Sequence, residues 1–209
     1  MDGEKMNLLL AVCALSSGAT LHPAYDLTAA ALRSEAKRSF QDPRRVRGLG
    51  QSQEIELPIF PTDSAKVTLR ITYYRPREWA SVVGARVGSA GGRTERDLEA
   101  VLGRTLRRID HKAVVFDLQA KLPLPEEDNW SLPSLRYELL NEDGFSVDGS
   151  APTLALPSPR DLLGTEYHCE LAFPFPYEPS NPPFLTSRMQ KITLRVTVDD
   201  RIVNLVFQI

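Results

Sequence analysis

The clearest pattern in this chain is an alternation of apolar and polar residues from Lys191 to Ile209, KITLRVTVDDRIVNLVFQI. The alternation is interrupted only at a polar corner, Asp199-Asp200-Arg201. Because successive side chains of a strand point to opposite faces, the pattern predicts a β-hairpin with one buried face. The apolar positions are Ile192, Leu194, Val196, Val198, Val203, Leu205, Phe207 and Ile209. The chain therefore ends inside a sheet, and we expect a C-terminal truncation to unfold it.

The same alternation recurs upstream, starting at Gln53. Prolines and Asp-Gly steps, which are typical of turns, separate the alternating runs. The runs cover residues 55–59, 67–73, 113–122, 135–139 and 167–173. With the hairpin they amount to about seven to nine strands. We therefore predict a mainly β fold, an antiparallel β-sandwich of immunoglobulin-like or transthyretin-like architecture.

Two segments have helical periodicity instead. Residues 26–40 carry Asp26 as a candidate N-cap, and residues 94–108 carry Thr94 as an N-cap followed by acids in the first turn. The second segment places Leu98, Val101, Leu102 and Leu106 on one stripe. We predict an N-terminal helical extension, residues 1–50, and a β-sandwich domain, residues 51–209, with one helix that crosses over or plugs an end of the sandwich.

The segment from Arg75 to Arg93 is rich in glycine, with Gly84, Gly88 and the pair Gly91-Gly92. This composition predicts a mobile loop. The glycines have neither the Gly-x-Gly-x-x-Gly spacing nor the Lys-Ser or Lys-Thr end of a phosphate-binding loop. Nucleotide binding is therefore not expected.

The apolar run Leu8–Leu15, LLLAVCAL, has the length and the small-residue exit, up to Ala19, of a secretory signal peptide. Residues 10–13, LAVC, partly match the bacterial lipoprotein box, whereas the acidic Asp2 and Glu4 do not match the positive start of a signal. We predict export to a periplasmic or extracytoplasmic, membrane-associated location. The alternative is a short buried helix in a cytoplasmic protein, since a membrane span takes about 20 apolar residues.

Composition narrows the choice of partner. The 25 Lys and Arg against 27 Asp and Glu give a net charge of -2, so no global charge favours nucleic acid.

The 16 prolines lie mostly between the alternating runs, which indicates stiff connections between strands. Two cysteines, Cys13 and Cys169, are too few to define a disulfide framework.

Local charge and local aromatic residues indicate where a partner would bind. Residues 33–47 form a basic stretch interrupted only by Glu35 and Asp42, which favours an acidic protein or anionic lipid, with a solvated helix face as the alternative. The proline-rich segment Pro174–Pro183 cannot be helix or central strand and is expected to expose its aromatic residues. The predicted partner-binding residues are Arg33, Lys37, Arg38, Arg44, Arg45, Arg47, Phe175 and Tyr177.

No motif in the sequence indicates catalysis. The three histidines lack metal-ligand spacing, and His168 and Cys169, adjacent on a strand, point to opposite faces. The acidic cluster at residues 126–128, beside Trp130, is interpreted as a charged loop. We predict no catalytic residue, no metal and no cofactor.

We therefore expect a non-catalytic protein-binding or scaffolding module, an accessory subunit of a membrane or envelope assembly. One alternative is an enzyme or small-ligand binder whose cleft lies between loops 75–93 and 126–130. Another is a soluble cytoplasmic adaptor in which the N-terminal helices belong to the core.

Overall fold

The computed structural model describes residues 20–58, 66–110, 113–121, 133–148, 166–175 and 183–209. Within these ranges the chain is mainly β and forms two antiparallel four-stranded sheets, as predicted. The strands are β1 (Gln51–Pro58), β2 (Lys66–Tyr74), β3 (Ala113–Lys121), β4 (Leu135–Leu140), β5 (Ser146–Asp148), β6 (Glu166–Pro174), β7 (Lys191–Val198) and β8 (Arg201–Gln208). Their alternating sequences explain their location, because each strand has one apolar side to bury.

The two sheets do not separate fully along the chain, because β6 follows β4 and β5 in the sequence but pairs with β3. The N-terminal sheet has the strand order β1-β2-β3-β6, and the C-terminal sheet has the order β5-β4-β7-β8. Neighbouring strands are antiparallel in both sheets. The inner faces of the two sheets share one hydrophobic core, an arrangement compatible with a β-sandwich.

The predicted C-terminal hairpin is confirmed. Strands β7 and β8 pair from Lys191 opposite Gln208 to Val198 opposite Arg201. Asp199 in the connecting turn has a φ of 50°, a left-handed conformation that Asp adopts more readily than most residues. The predicted inward residues of β7 are buried, and so are Leu205 and Phe207 of β8.

Aromatic rings fill the centre of the core between the sheets. The ring of Phe116 lies 5.7 Å from that of Tyr73, 5.3 Å from that of Phe207 and 5.8 Å from that of Phe173, measured between centroids. Phe207 belongs to the C-terminal sheet and the other three to the N-terminal sheet. This cluster therefore joins the two sheets.

A layer of helices covers part of the outer face of the N-terminal sheet. Its members are α1 (Ala29–Gln41), a short 3-10 helix (Pro43–Val46), α2 (Pro76–Ser89) and α3 (Glu95–Asp110). Leu32 of α1, Trp79 of α2 and Leu98 of α3 form a second core with Val115 of β3. The molecule thus has a helical layer on one side of its two sheets.

The helix boundaries partly differ from those predicted. Helix α1 begins after Thr28, whose Oγ1 accepts a hydrogen bond from the Ala31 amide at 3.2 Å, so the predicted cap at Asp26 is wrong. At α3 the predicted cap is confirmed: Thr94 Oγ1 accepts from the Asp97 amide, and the Asp97 carboxylate accepts from the Thr94 amide at 2.7 Å. This reciprocal pair satisfies two amides that a helix start leaves without partners.

The predicted mobile loop at residues 75–93 is wrong, because most of it forms α2. A Cβ added to Gly84 would collide with the carbonyl oxygen of Ala36, and one added to Gly88 with that of Phe40. The two glycines, spaced one helical turn apart, let α2 lie directly against α1. Their role is therefore close helix packing, a contact that composition alone does not indicate.

Residues 20–50, the described part of the predicted N-terminal extension, pack on the rest of the chain. Leu21 forms an isolated β-bridge with Thr186, and the His22 amide donates to the Leu185 carbonyl at 2.9 Å. The helix α1 contributes Leu32 and Ala36 to the core of the helical layer. The boundary after residue 50 stays a prediction, and residues 1–19 lie outside the described residues. None of the described helices is long and apolar enough to cross a membrane.

Candidate protein-binding surfaces

The predicted basic stretch divides into two parts. Arg33 and Lys37 lie on the side of α1 that faces α3, where Glu99 lies 3.6 Å from Arg33 and 3.5 Å from Lys37, and Glu95 lies 3.8 Å from Lys37. These pairs are half exposed, so each contributes little to stability, about 0.2–1 kcal/mol. Their charges are nevertheless balanced within the helical layer, which makes both residues poor candidates for an anionic partner.

The second part of the stretch is more accessible. Arg38 pairs with Glu35 on its own helix at 3.7 Å. Arg44, Arg45 and Arg47 lie exposed in and just after the 3-10 helix, and none of them forms a salt bridge with another residue that the structure describes. These three residues, the basic turn, keep their positive charge available to a partner.

The predicted exposure of Phe175 is wrong. Its side chain is 2% exposed, and its ring lies 5.9 Å from that of Tyr25 and 5.7 Å from that of Phe184. Phe175 continues the inward alternation of β6 after Leu171 and Phe173, so it ends the buried face of that strand. The other predicted aromatic residue, Tyr177, lies outside the described residues.

Of the two segments proposed to line the alternative cleft, 75–93 and 126–130, the first is mostly helical rather than a loop. Residues 76–89 are the helix α2, with Trp79 buried. Residues 126–130, with their acidic cluster and Trp130, lie outside the described residues. Nothing described therefore brings these two segments together.

The outer face of the C-terminal sheet carries exposed apolar side chains that the sequence analysis did not select. On β8, Ile202 is 59% exposed and Val206 is 45% exposed. Cross-strand neighbours on β7 are Thr197 for Ile202 and Thr193 for Val206. Between these two rows, Arg195 donates to the Glu138 carboxylate at 2.8 Å. The signal was available, because Ile202 and Val206 occupy positions where strict alternation calls for polar residues.

A third exposed apolar side chain lies in the β4–β5 turn. Phe145 is 69% exposed, although its backbone is well fixed. Asn141 Oδ1 accepts from the amides of Asp143 and Phe145 at 3.1 and 2.9 Å, and its Nδ2 donates to the Phe184 carbonyl at 2.8 Å. This asparagine therefore holds the ring of Phe145 on a rigid turn.

One buried charged group links the helical layer to the N-terminal sheet. The Asp117 carboxylate accepts hydrogen bonds through Oδ2 from Arg86 at 2.6 Å and from Gln119 at 2.9 Å. The guanidinium of Arg86 also lies 5.3 Å from the centre of the Trp79 ring, within cation–π range. The cluster joins α2 to β3, and its geometry is that of a structural ion pair.

A second polar cluster lies where the N-terminal segment meets β2. The hydroxyls of Tyr25 and Tyr73 are 2.9 Å apart. Burial raises the pKa of Tyr25 well above its ordinary value and that of Tyr73 to about 12. Burial, together with the positive charge of Arg75, lowers the pKa of nearby His22. Both tyrosines are thus neutral hydrogen-bonding groups at any physiological pH.

The described residues contain no candidate metal site. Across the described ranges, no group of three or more His, Cys, Asp and Glu residues has the arrangement needed to hold a metal ion. Cys169 is partly buried at the edge of the core, whereas Cys13 and His111 lie outside the described residues.

Comparison with known proteins finds no family model, no curated protein and no solved structure that matches this chain. The candidate surfaces are therefore defined by the geometry of the chain itself: the outer face of the C-terminal sheet, and the basic turn.

Proposed function

We propose that this protein is a non-catalytic protein-binding module, an accessory subunit of a membrane or envelope assembly. Residues 1–19 serve as its export or anchoring segment, and the sandwich presents a sheet face to another protein. Immunoglobulin-like and transthyretin-like sandwiches are the architectures we propose for such a role, because their antiparallel sheets leave one face free for contact.

The observation that carries the proposal is the outer face of the C-terminal sheet. Ile202 and Val206 are apolar and exposed, and Thr197 and Thr193 lie beside them on β7. The opposite side of the same strands is anchored in the core through Leu194, Leu205 and Phe207. Apolar side chains surrounded by polar groups match the apolar centre and polar rim of a protein–protein interface.

The contacts of Thr20 and Leu21 support a direct attachment of residues 1–19 to the sandwich. Thr20 and Leu21 are bonded to the segment before β7: the Ser187 amide donates to the Thr20 carbonyl at 2.9 Å, and Thr20 Oγ1 donates to Ser187 Oγ at 3.0 Å. A membrane anchor within residues 1–19 would therefore be joined directly to the sandwich, with no free linker after residue 20.

The binding face is tested by photo-crosslinking in the native cells. A photoreactive residue at position 202 should yield a discrete covalent product with one other protein. The matched control is position 68, because Thr68 is exposed on the outer face of the N-terminal sheet. Equal products at both positions, no product at either, or a product of twice the chain's own mass would refute a partner at this face.

The location is tested by the intact mass of the native protein in separate membrane and soluble fractions. Loss of residues 1–19, or a lipid on Cys13 after loss of residues 1–12, is the expected result. An unprocessed chain in the soluble fraction would overturn the envelope assignment and favour the cytoplasmic adaptor.

The basic turn is proposed to contact anionic lipid. Each basic residue near an anionic surface contributes about 1 kcal/mol, so the triple variant Arg44→Ala, Arg45→Ala, Arg47→Ala should lose most binding to vesicles that contain phosphatidylserine. The matched control is Arg33→Ala with Lys37→Ala, whose charges are paired within the helical layer. Sedimentation with vesicles at two salt concentrations measures both, and an equal loss from both variants would contradict the assignment.

A further inference from the structure

The two sheets are joined along one side by side-chain amides. Gln51 Nε2 of β1 donates to the Gln208 carbonyl of β8 at 2.6 Å, and the Gln208 amide donates back to Gln51 Oε1 at 2.7 Å. One step along both strands, Gln53 Nε2 donates to the Val206 carbonyl. We refer to Gln51 and Gln53 together as the glutamine clasp.

The clasp lies where a further strand would pair with β8. β8 is the edge of the C-terminal sheet, and an edge strand presents outward N–H and C=O groups at alternate residues. The bonds to Gln208 and Val206 show that the even-numbered residues of β8 point outward. Gln51 both donates to and accepts from one residue, as the backbone of a paired antiparallel strand does. Residues Asn204 and Ile202 continue the same outward row.

The outward-pointing residues of β8 could pair with the same residues of a second copy of the chain. If two copies of β8 pair antiparallel about a two-fold axis at Asn204, Ile202 of each copy lies opposite Val206 of the other. The three outward residues then exchange backbone hydrogen bonds without a register change, and each exposed apolar side chain gains an apolar cross-strand neighbour. This arrangement would reduce the exposure of both apolar side chains of β8.

The charges also fit this register. β8 has one charged residue, Arg201, which would lie opposite Phe207 of the second copy rather than opposite another cation. Asp200 of the second copy would lie opposite Gln208, whose other neighbour is Lys191. No like charges are opposed, and at each end of the pair Asp200 and Lys191 lie two strands apart, on either side of Gln208.

We propose that the glutamine clasp closes a self-complementary edge, and that β8 pairs with β8 of a second copy, Ile202 opposite Val206, when the clasp is removed. The wild-type chain is then monomeric because Gln53 holds the Val206 carbonyl that pairing requires. This proposal does not depend on the proposed function, since a second copy of the chain is the only occupant it needs.

The test is the mass in solution of the full chain by light scattering during gel filtration. The variant Gln51→Ala, Gln53→Ala should double in mass, and addition of Ile202→Lys should restore the monomer, because a lysine on an edge strand opposes pairing. The matched control is Ser52→Ala with Glu54→Ala, which alters the outward side of the same strand and should stay monomeric. A clasp variant that stays monomeric with a cooperative unfolding transition would overturn the proposal.

A disulfide test fixes the register and covers the case in which the clasp variant unfolds more easily. With Cys13→Ser and Cys169→Ala in the background, Asn204→Cys should cross-link two copies on oxidation, since directly opposed residues of this kind lie about 5.5 Å apart between Cα atoms, within disulfide range. The cross-link is measured in the Gln51→Ala, Gln53→Ala variant and also in the single variant Gln53→Ala, which keeps Gln51 and should be the more stable of the two. Ile202→Cys should not cross-link to itself, because it faces Val206. Equal cross-linking at both positions would refute this register.

Discussion

The guanidinium of Arg86 donates a hydrogen bond to the buried carboxylate of Asp117, with 2.6 Å between Nη2 and Oδ2. Arg86 belongs to α2 and Asp117 to β3, so this contact connects the helical layer to the N-terminal sheet. The carboxylate is 1% exposed and depends on this cation, because an unpaired buried charge is strongly unfavourable.

We expect Arg86→Met to lower the free energy of unfolding by about 3 kcal/mol, the lower end of the range for a broken buried ion pair. The lower end applies because Arg86 is partly exposed and Gln119 still donates to Asp117. Urea unfolding followed by circular dichroism measures the change. Adding Asp117→Asn should recover part of the loss, and strictly additive effects of the two substitutions would show that the residues do not interact.

Alanine at the glycines of α2 should separate the first two helices. A Cβ at Gly84 or Gly88 meets a backbone carbonyl of α1, which cannot move like a flexible side chain, so either substitution should cost about 1–3 kcal/mol as overpacking does. Thermal unfolding measures the loss.

The control for this prediction is Gly103→Ala in α3, where an added Cβ would meet no atom within 4 Å. Alanine is preferred to glycine in a helix, so this variant should gain about 0.5–1 kcal/mol. Destabilisation of the same size at all three glycines would contradict the close helix contact.

The buried pair Tyr25 and Tyr73 should make stability fall at alkaline pH. In the unfolded chain both tyrosines ionise near pH 10, whereas burial raises both pKa values in the folded protein, that of Tyr73 to about 12. The unfolded state therefore releases protons first as the pH rises above 10. The contribution of these groups is fully present below pH 10 and is lost as the pH rises toward the folded pKa.

Tyrosinate absorbance, recorded while the pH is raised, measures this effect. Tyr25 and Tyr73 should stay neutral until the chain unfolds, and Tyr25→Phe with Tyr73→Phe should remove their share of the delayed step. Burial also raises the pKa of Tyr74, so this tyrosine remains in the variant as an internal reference. Ionisation of all tyrosines before unfolding would show that the pair is not buried in solution.

Replacement by alanine should have very different effects at two adjacent positions of β8, Val206 and Phe207. Phe207 is fully buried against Tyr73 and Phe116, so Phe207→Ala should cost about 3–5 kcal/mol. Val206, one residue earlier, points outward, and Val206→Ala should change the free energy of unfolding by about 0.5 kcal/mol or less. Similar losses at both positions in chemical denaturation would contradict the strand orientation.

Local patterns were sufficient for the strands and for one helix cap. Period-two alternation predicted which side of β7 is buried, because a strand side chain has only two directions available. Thr94 was identified as a cap because its bonds lie within four residues of chain. The prediction was wrong where the deciding contact is distant in sequence. Composition alone indicated a loop at Gly84 and Gly88, whereas both glycines lie in a helix that packs against the backbone of Ala36 and Phe40.

The candidate surfaces divide in the same way. The sequence by itself determined that two antiparallel sheets form, which residues of the hairpin enter the core, and that residues 33–47 are basic. Only the tertiary structure decided that Phe175 is buried, that Glu95 and Glu99 balance Arg33 and Lys37, and that Gln51 and Gln53 close the edge of β8. The physical reason is range: side-chain alternation and capping depend on neighbours in the chain, whereas pairing of charges and closure of an edge depend on which strands and helices come together in space.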